Sequence, residues 1–234
     1  MTPHSNIKTK FLIEYDKENV TSSYPSYTDY EIAVFLNKAY LALIAQKVTG
    51  NNPRRVPFEA DTKAISDIQE LVTFVTLPHE SMVHPSAENS ALYDLDKCKN
   101  ERGEKDFLYY ISGAINLTGK MNPVTLVSHE VAQKFKQSST NRPWIKNAVA
   151  YIESNAIIVL YDNYLYNPTG IKAPGDFVLT YIREPEKFTE NFDGTFELND
   201  TMAEELISLA VIFALENVES ARLNTKAQTR GLEA

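Results

Sequence analysis

The residues best suited to chemistry in this sequence are four histidines and one cysteine, and their spacing limits what they can do. His129-Glu130 opens VSHEVAQKFKQ, residues 127–137, a stretch of helical period that begins as a zinc peptidase helix begins. A zinc-binding H-E-x-x-H helix needs its second histidine four residues on, so that both imidazoles share one face and converge on one ion. That position is Gln133. A second cluster, HESMVH at 79–84, sets His84 five residues after His79. On a helix that is about 500° of rotation, so the rings splay apart. Pro78 and Pro85 bracket the cluster and mark it as a loop. These histidines therefore read as solvated loop and helix-start residues, and no metal is expected.

Cys98 lies among Asp96, Lys97 and Lys99. Neighbouring lysines lower a thiol pKa only modestly, so it reads as a plain exposed thiol. There is no G-x-x-x-x-G-K-[ST] phosphate loop, no G-x-G-x-x-G turn and no G-x-S-x-G elbow, which argues against nucleotide, cofactor and serine-hydrolase chemistry. The acidic neighbours Glu184, Glu186, Glu204 and Glu205 read as solvated faces rather than acid/base pairs. No catalytic set emerges, no cofactor is implied, and the chain reads as a non-enzyme.

The elements that would position any site begin with a capping box. Thr28-Asp29-Tyr30-Glu31 lets the Thr28 hydroxyl satisfy a free backbone N–H while Glu31 reaches back. The helix it opens carries Ile32, Phe35, Leu36, Ala39, Tyr40, Leu43 and Ile44 at three-and-four spacing until Gly50-Asn51-Asn52-Pro53. Phe58 starts a second periodic stretch with Ile65, Ile68, Leu71, Val72 and Val75 on one face, closed by Pro78. The two helices are expected to pair antiparallel. Thr201-Met202-Ala203-Glu204 reads as another capping box, followed by Leu206, Leu209, Ala210, Phe213, Ala214 and Asn217 at helical spacing to about Leu223. FLYYISGAINL at 107–117, a hairpin in YIESNAIIVLYD turning at Ser154-Asn155, and DFVLTYIREP at 176–185 read as strands. The breaker-rich NPTGIKAPG reads as a long loop.

The expected fold class is therefore α+β. An antiparallel helical bundle, with helices near 28–49, 58–77 and 201–223, carries an inserted β-rich region and extended terminal arms. The segments are an N-terminal arm at 1–27, the bundle at 28–78 and 199–223, the insertion at 79–198 and a C-terminal arm at 224–234. Phe35, Leu36, Ile68, Val72, Leu209 and Phe213 are expected in the bundle core.

Composition sets the outer bounds. A chain of 234 residues, 43% hydrophobic and 11% aromatic, can bury a sizeable core. Its net charge of -8 opposes a broad basic face that would grip phosphates. One cysteine and no signal-like start point to a reducing compartment. The longest apolar runs, such as AIIVL at 156–160, fall far short of the ~20 residues a membrane helix needs, so a soluble protein with no membrane partner is expected.

Two features ask for a protein partner. Tyr161, Tyr164 and Tyr166 in YDNYLYNP put amphipathic rings beside chain breakers, which is usual at interfaces. The two arms have few apolar anchors, as segments that order against a neighbour do.

The order of segments resembles structural proteins of crAss-like bacteriophages of gut Bacteroides. The likeness runs over about residues 28 to 220. It is carried by Thr28-Asp29-Tyr30-Glu31 with Ile32, Phe35, Leu36 and Ala39, then Phe58-Glu59 and Leu71-Val72. It continues through Pro123-Val124-Thr125, Asn141-Arg142-Pro143-Trp144 and Tyr181-Ile182-Arg183-Glu184-Pro185. A polar stretch, Phe196 to Asn199, then leads into the helix Glu204-Glu205-Leu206-Ile207-Ser208-Leu209-Ala210. The resemblance implies a non-enzymatic virion protein made in the host cytoplasm. It would form a ring of about twelve copies between the portal and the short tail, similar to podovirus head-to-tail adaptors. Its partners would be itself, the portal protein, other neck or tail rings and passing double-stranded DNA, the last without sequence-specific binding. Tyr161, Tyr164, Tyr166 and Trp144 are its candidate interface residues, with Arg222, Lys226 and Arg230 as charged and Leu232 as apolar anchors of the C-terminal arm. The nearest alternative is a ring lower in the tail, or a tail-hub protein. From other classes, a metal-dependent hydrolase would need His79, His84 and His129 to converge. A nucleic-acid-binding module would need a basic stripe, for which Arg54-Arg55 with Lys134 and Lys136 come nearest.

Overall fold

A computed structural model of the chain describes residues 2–16, 26–49, 62–78, 90–100, 103–117, 120–137, 148–160 and 175–217. Among them are five α-helices and seven strands of one sheet. The fold is mixed α/β, which corrects the expectation of an antiparallel helical bundle with a β-rich insertion. Two compact units are present, one comprising Met1–Leu71 with Pro185–Ala234 and the other Val72–Glu184.

In the second unit the sheet order is β1 (Val72–Leu77), β7 (Phe177–Arg183), β3 (Phe107–Leu117), β4 (Lys120–Leu126), β5 (Ala148–Glu153), β6 (Ala156–Leu160), β2 (Ser90–Asp94). Strand β1 corrects the expected helix near 58–77. Leu71, Val72 and Val75 satisfy a helical period by coincidence, whereas Val72-Thr73-Phe74-Val75-Thr76 is β-branched or aromatic throughout and favours the pleat. Pairing with β7, Val72 opposite Ile182 through Leu77 opposite Phe177, decides the matter.

All strand pairs are antiparallel except β4 with β5. A parallel pair needs a crossover, and helix α4 (His129–Gln137) lies between the two strands in the chain. Residues on β5 and β6 then alternate between two cores. Ala148, Ala150, Ile157 and Val159 join Leu77, Tyr93, Ile115, Phe177 and Leu179. Val149, Tyr151, Ile158 and Leu160 pack with Ala132 of α4. Cover on both faces explains why AIIVL is a continuous apolar run. The hairpin turns at Ser154-Asn155 as the sequence indicates, with Ser154 at φ 54°. At Gly113 on β3 a Cβ would overlap the Phe177 ring, so only glycine fits that approach.

In the first unit, residues 4–16 form a helix, α1 (His4–Asp16), which corrects the extended N-terminal arm. Ile7, Phe11 and Tyr15 recur every fourth residue and are buried, a face that polar neighbours conceal in the sequence. Helix α2 (Asp29–Val48) starts at the expected capping box. Thr28 N–H donates to Glu31 Oε2 at 2.8 Å, and these Thr28 hydrogen bonds hold the Glu31 carboxyl below the usual range. Helix α5 (Asp200–Asn217) starts two residues earlier than its expected box. Asn199 Oδ1 accepts from Met202 N–H at 2.8 Å, while Glu204 pairs with Lys10 on the surface. Leu36, Ile68 and Leu209 are core residues as expected, but Phe35 and Phe213 are only half-buried, the latter under the Lys38 ammonium, and Val72 lies on the strand. The chain beyond 217, including the expected end of this helix and the C-terminal arm, lies outside the described residues, as does 58–61.

Helix α3 (Thr62–Ile68) is short and is fixed by charge as much as by packing. Lys47 of α2 reaches Asp67 Oδ2 of α3 at 2.9 Å and Glu205 Oε2 of α5 at 3.0 Å, with all three side chains mostly buried. Burial opposes the Lys47 charge, but the hydrogen bonds from Asp67 and Glu205 outweigh it and raise the pKa above the ordinary lysine value. The stability this contributes is fully present below the unfolded-state value, about 10.4, and is lost as pH rises through the higher folded value. Lys47→Met leaves the buried Asp67 without its cation and Glu205 with only the longer Lys63 contact at 3.9 Å. Urea unfolding should show a loss of about 3–5 kcal/mol, whereas Lys134→Met, which breaks an exposed pair with Glu130, should cost at most about 0.5 kcal/mol.

Candidate functional site

The histidine-led helix resolves into ordinary packing. His129 stands edge-on to the Tyr151 ring at 5.2 Å between centroids, and Gln133 is exposed. Lys134 pairs with Glu130 at 2.8 Å. Lys136 donates to the Tyr151 hydroxyl at 2.6 Å and lies 4.6 Å from the ring centroid. These lysines are thus tied to local partners rather than aligned as a phosphate-binding stripe. His79 and His84 lie outside the described residues, as do Arg54 and Arg55. So do all eight candidate interface residues: Tyr161, Tyr164, Tyr166, Trp144, Arg222, Lys226, Arg230 and Leu232. Among the described residues no three of His, Cys, Asp and Glu converge as metal ligands, and no helix is long and apolar enough to cross a membrane.

Cys98 is buried, not exposed as its charged neighbours suggest. It follows a single 3-10 turn, Leu95–Lys97, whose Leu95 carbonyl accepts the Cys98 N–H at 3.0 Å. Its own carbonyl accepts from Asp106 N–H at 3.1 Å. The buried Asp106 carboxylate in turn accepts the Tyr181 hydroxyl at 2.9 Å, and the Asp106 carbonyl accepts from Glu184 N–H at 2.5 Å. Burial, then the Asp106 charge, push the thiol up to about 11 despite Lys105. Burial also raises the Tyr181 hydroxyl, with Asp106 adding to it. At neutral pH the cluster therefore holds a thiol and a phenol, both protonated, and ties 98–106 to the end of β7. A thiol held in that state is a poor nucleophile.

His4 is another buried titratable group. Its backbone N–H donates to the Gly194 carbonyl at 3.1 Å, and Nδ1–H donates to the Asp193 carbonyl at 3.0 Å, which makes Nδ1 the protonated nitrogen of the neutral ring. The ring packs 4.2 Å from the Phe188 centroid. Phe188 is itself held by Asn37, which donates from Nδ2 to its carbonyl at 3.0 Å and accepts its N–H at 2.9 Å. Burial lowers the His4 pKa against the pull of the Asp193 carbonyl, Glu186 and Glu197. The signal was legible only as a lone histidine beside Pro3, which says nothing of what covers it.

What the described surface does present is apolar. Tyr30, Val34 and Leu41 of α2 are 66%, 45% and 41% exposed. At about 100° per residue they fall within roughly 40° of one another, on the side of the helix away from Ile32, Leu36, Tyr40 and Leu43. The sequence held a sign of this. Ile32-Ala33-Val34-Phe35-Leu36 wraps apolar side chains around the whole circumference, more than one packed face requires.

No family model and no curated protein matches the chain. The site must therefore be read from its own geometry, which offers a contact surface and no assembled reaction centre among the described residues.

Two outcomes check these assignments. The folded protein at neutral pH should react with a thiol reagent at Cys98 only as fast as it opens, and fully once unfolded in urea. Because the folded His4 pKa is depressed, its contribution is present above the unfolded value of about 6.5 and is lost as pH falls through the folded value. Urea midpoints should therefore drop between pH 7.5 and pH 5 by more in the wild type than in His4→Phe.

Proposed function

We propose that the protein is a structural component of a bacteriophage virion, forming a ring of about twelve copies between the portal and the short tail. The observation that carries this reading is the exposed apolar stripe Tyr30, Val34, Leu41 on α2. An isolated exposed side chain is ordinary, whereas a row of three along one helix supports a docking surface for another protein. The resemblance in segment order to crAss-like phage proteins names the class of assembly, and the stripe supplies a surface on which a neighbouring copy would sit. In a ring that contact joins unlike surfaces, the stripe of one copy meeting a different patch of the next.

A net charge of -8 per chain suits such a role, since a ring around the genome must let DNA slide rather than hold it. The portal and other neck or tail rings are the remaining partners. The buried cluster in which the Cys98 thiol and the Tyr181 hydroxyl are pushed up beside Asp106 supports a structural over a catalytic use of the fold.

The test is assembly. Native mass measurement of the protein, alone and on portal-bearing capsids, should give a closed ring of about twelve copies, and imaging of virions should find it between portal and tail. Val34→Glu should leave the urea midpoint within about 0.5 kcal/mol of wild type, because the site is exposed, yet prevent ring formation. An unaltered ring in Val34→Glu would remove the stripe from the interface, and a protein absent from virions would end the reading.

A further inference from the structure

Among the described residues strand β1 is an end strand of the seven-stranded sheet, hydrogen-bonded to β7 on one side only. Sheet ends carry unpaired N–H and C=O groups, and natural proteins guard them with lysine, proline, glycine bulges or an inward-pointing charge. Val72-Thr73-Phe74-Val75-Thr76-Leu77 has none of these within it. Its register with β7 also runs without interruption from Val72 to Leu77, so no bulge twists the edge away. Phe74 at its centre is 72% exposed, more than any other large apolar residue described. The opposite end strand, β2, is treated differently: Ser90, Ala91 and Tyr93 are buried, and the strand ends in Asp94.

We infer that β1 is an interaction edge whose occupant is β1 of a second copy, paired antiparallel about a two-fold axis through Phe74. Strand alternation puts Val75 and Leu77, with Thr73, on the side of the main core, and Val72, Phe74 and Thr76 on the other. An axis normal to the sheet keeps like faces together when one residue lies opposite its own copy, and among such registers the one centred on Phe74 matches every pair in kind. That register sets Val72 against Thr76 of the second copy and Thr73 against its Val75. Every pair is then β-branched on β-branched or aromatic on aromatic, the combinations that stabilise a ladder. Charge points the same way. Copies carrying -8 each repel, and a meeting strand with no charged side chain is where that repulsion is least. Glu70, exposed just before the strand, falls beyond the paired residues.

This contact rests on a different observation from the ring and closes at two copies, whereas a ring needs unlike surfaces. It would join two free chains, or two rings face to face.

Site-specific cross-linking of the full chain tests it. Opposed Cβ atoms in an antiparallel ladder lie close enough for a disulfide, and Cys98 is buried, so an introduced thiol is read alone. Under mild oxidation Phe74→Cys should yield a disulfide-linked dimer. Val72→Cys and Thr76→Cys should each give little alone, but link when the two variants are mixed. Phe74→Lys should abolish the two-fold contact in native mass measurements, with an unchanged urea midpoint showing that the fold survives, while the ring contact tested by Val34→Glu persists. The inference is overturned if Phe74→Cys links no better than Thr76→Cys, or if the wild type shows no even-numbered assembly that Phe74→Lys removes. Open-ended growth into fibres instead of a closed pair would overturn it as well.

Discussion

A single buried ammonium organises the helical unit. Lys47 projects from the last turn of α2 between Asp67 and Glu205, so two consecutive helices and the distant α5 meet at one charge. Two carboxylates out of water tolerate that position only with their cation, and the cation tolerates it only with both, so the three helix ends are fixed together or not at all. Asn199, which caps α5, also reaches Asp67 Oδ1 at 3.5 Å, tying the start of that helix to the same point. The irregular segment from 185 to 199 is held by a second set of polar anchors, Asn37 on the Phe188 backbone and His4 on the 193–194 carbonyls. With no strand or helix to satisfy its backbone, this segment depends on side chains and the N-terminus for its hydrogen bonds.

The sheet unit obeys a different constraint. Its one parallel pair, β4 with β5, is bridged by α4, and the helix is held against β5 and β6 by Ala132 and by the Lys136 ammonium over Tyr151. That cover accounts for the outward residues of β5 and β6 but not for Phe74 of β1 or Met121 of β4, which stay exposed. The buried Asp106 carboxylate and the Tyr181 hydroxyl satisfy each other. Buried polarity in this fold is spent on fixing geometry, while contact chemistry is left to apolar side chains on the surface.

Much of the local structure was legible in particular residues. The Thr28 and Glu31 pair marked the start of α2 because a capping box is satisfied within four residues, and Ser154-Asn155 marked the hairpin because its strands flank it directly. Legibility ended where two periods fitted one stretch. Val72 and Val75 match a helix and a strand equally well, and only pairing to Ile182 and Leu179, over a hundred residues later, selects the strand. Helix α1 is hard to read in sequence because its buried apolar residues, Ile7, Phe11 and Tyr15, are few and Leu12 and Ile13 beside Phe11 blur the period. Cys98 is buried despite its charged neighbours because Asp96, Lys97 and Lys99 are exposed while its own side chain packs into the sheet core.

The sequence by itself determined the elements whose signals are local: caps, turns, β-branched runs, and a negative charge unsuited to gripping phosphate. The tertiary structure decided the rest: that the strands form one seven-stranded sheet, that Lys47 meets Asp67 and Glu205, that Cys98 and His4 are buried, and that Phe74, Tyr30, Val34 and Leu41 are not. The physical reason is the range of the interactions. A hydrogen bond between residues three apart is written in their spacing, whereas burial and charge pairing depend on neighbours brought together by the whole chain, and no short stretch records which those will be.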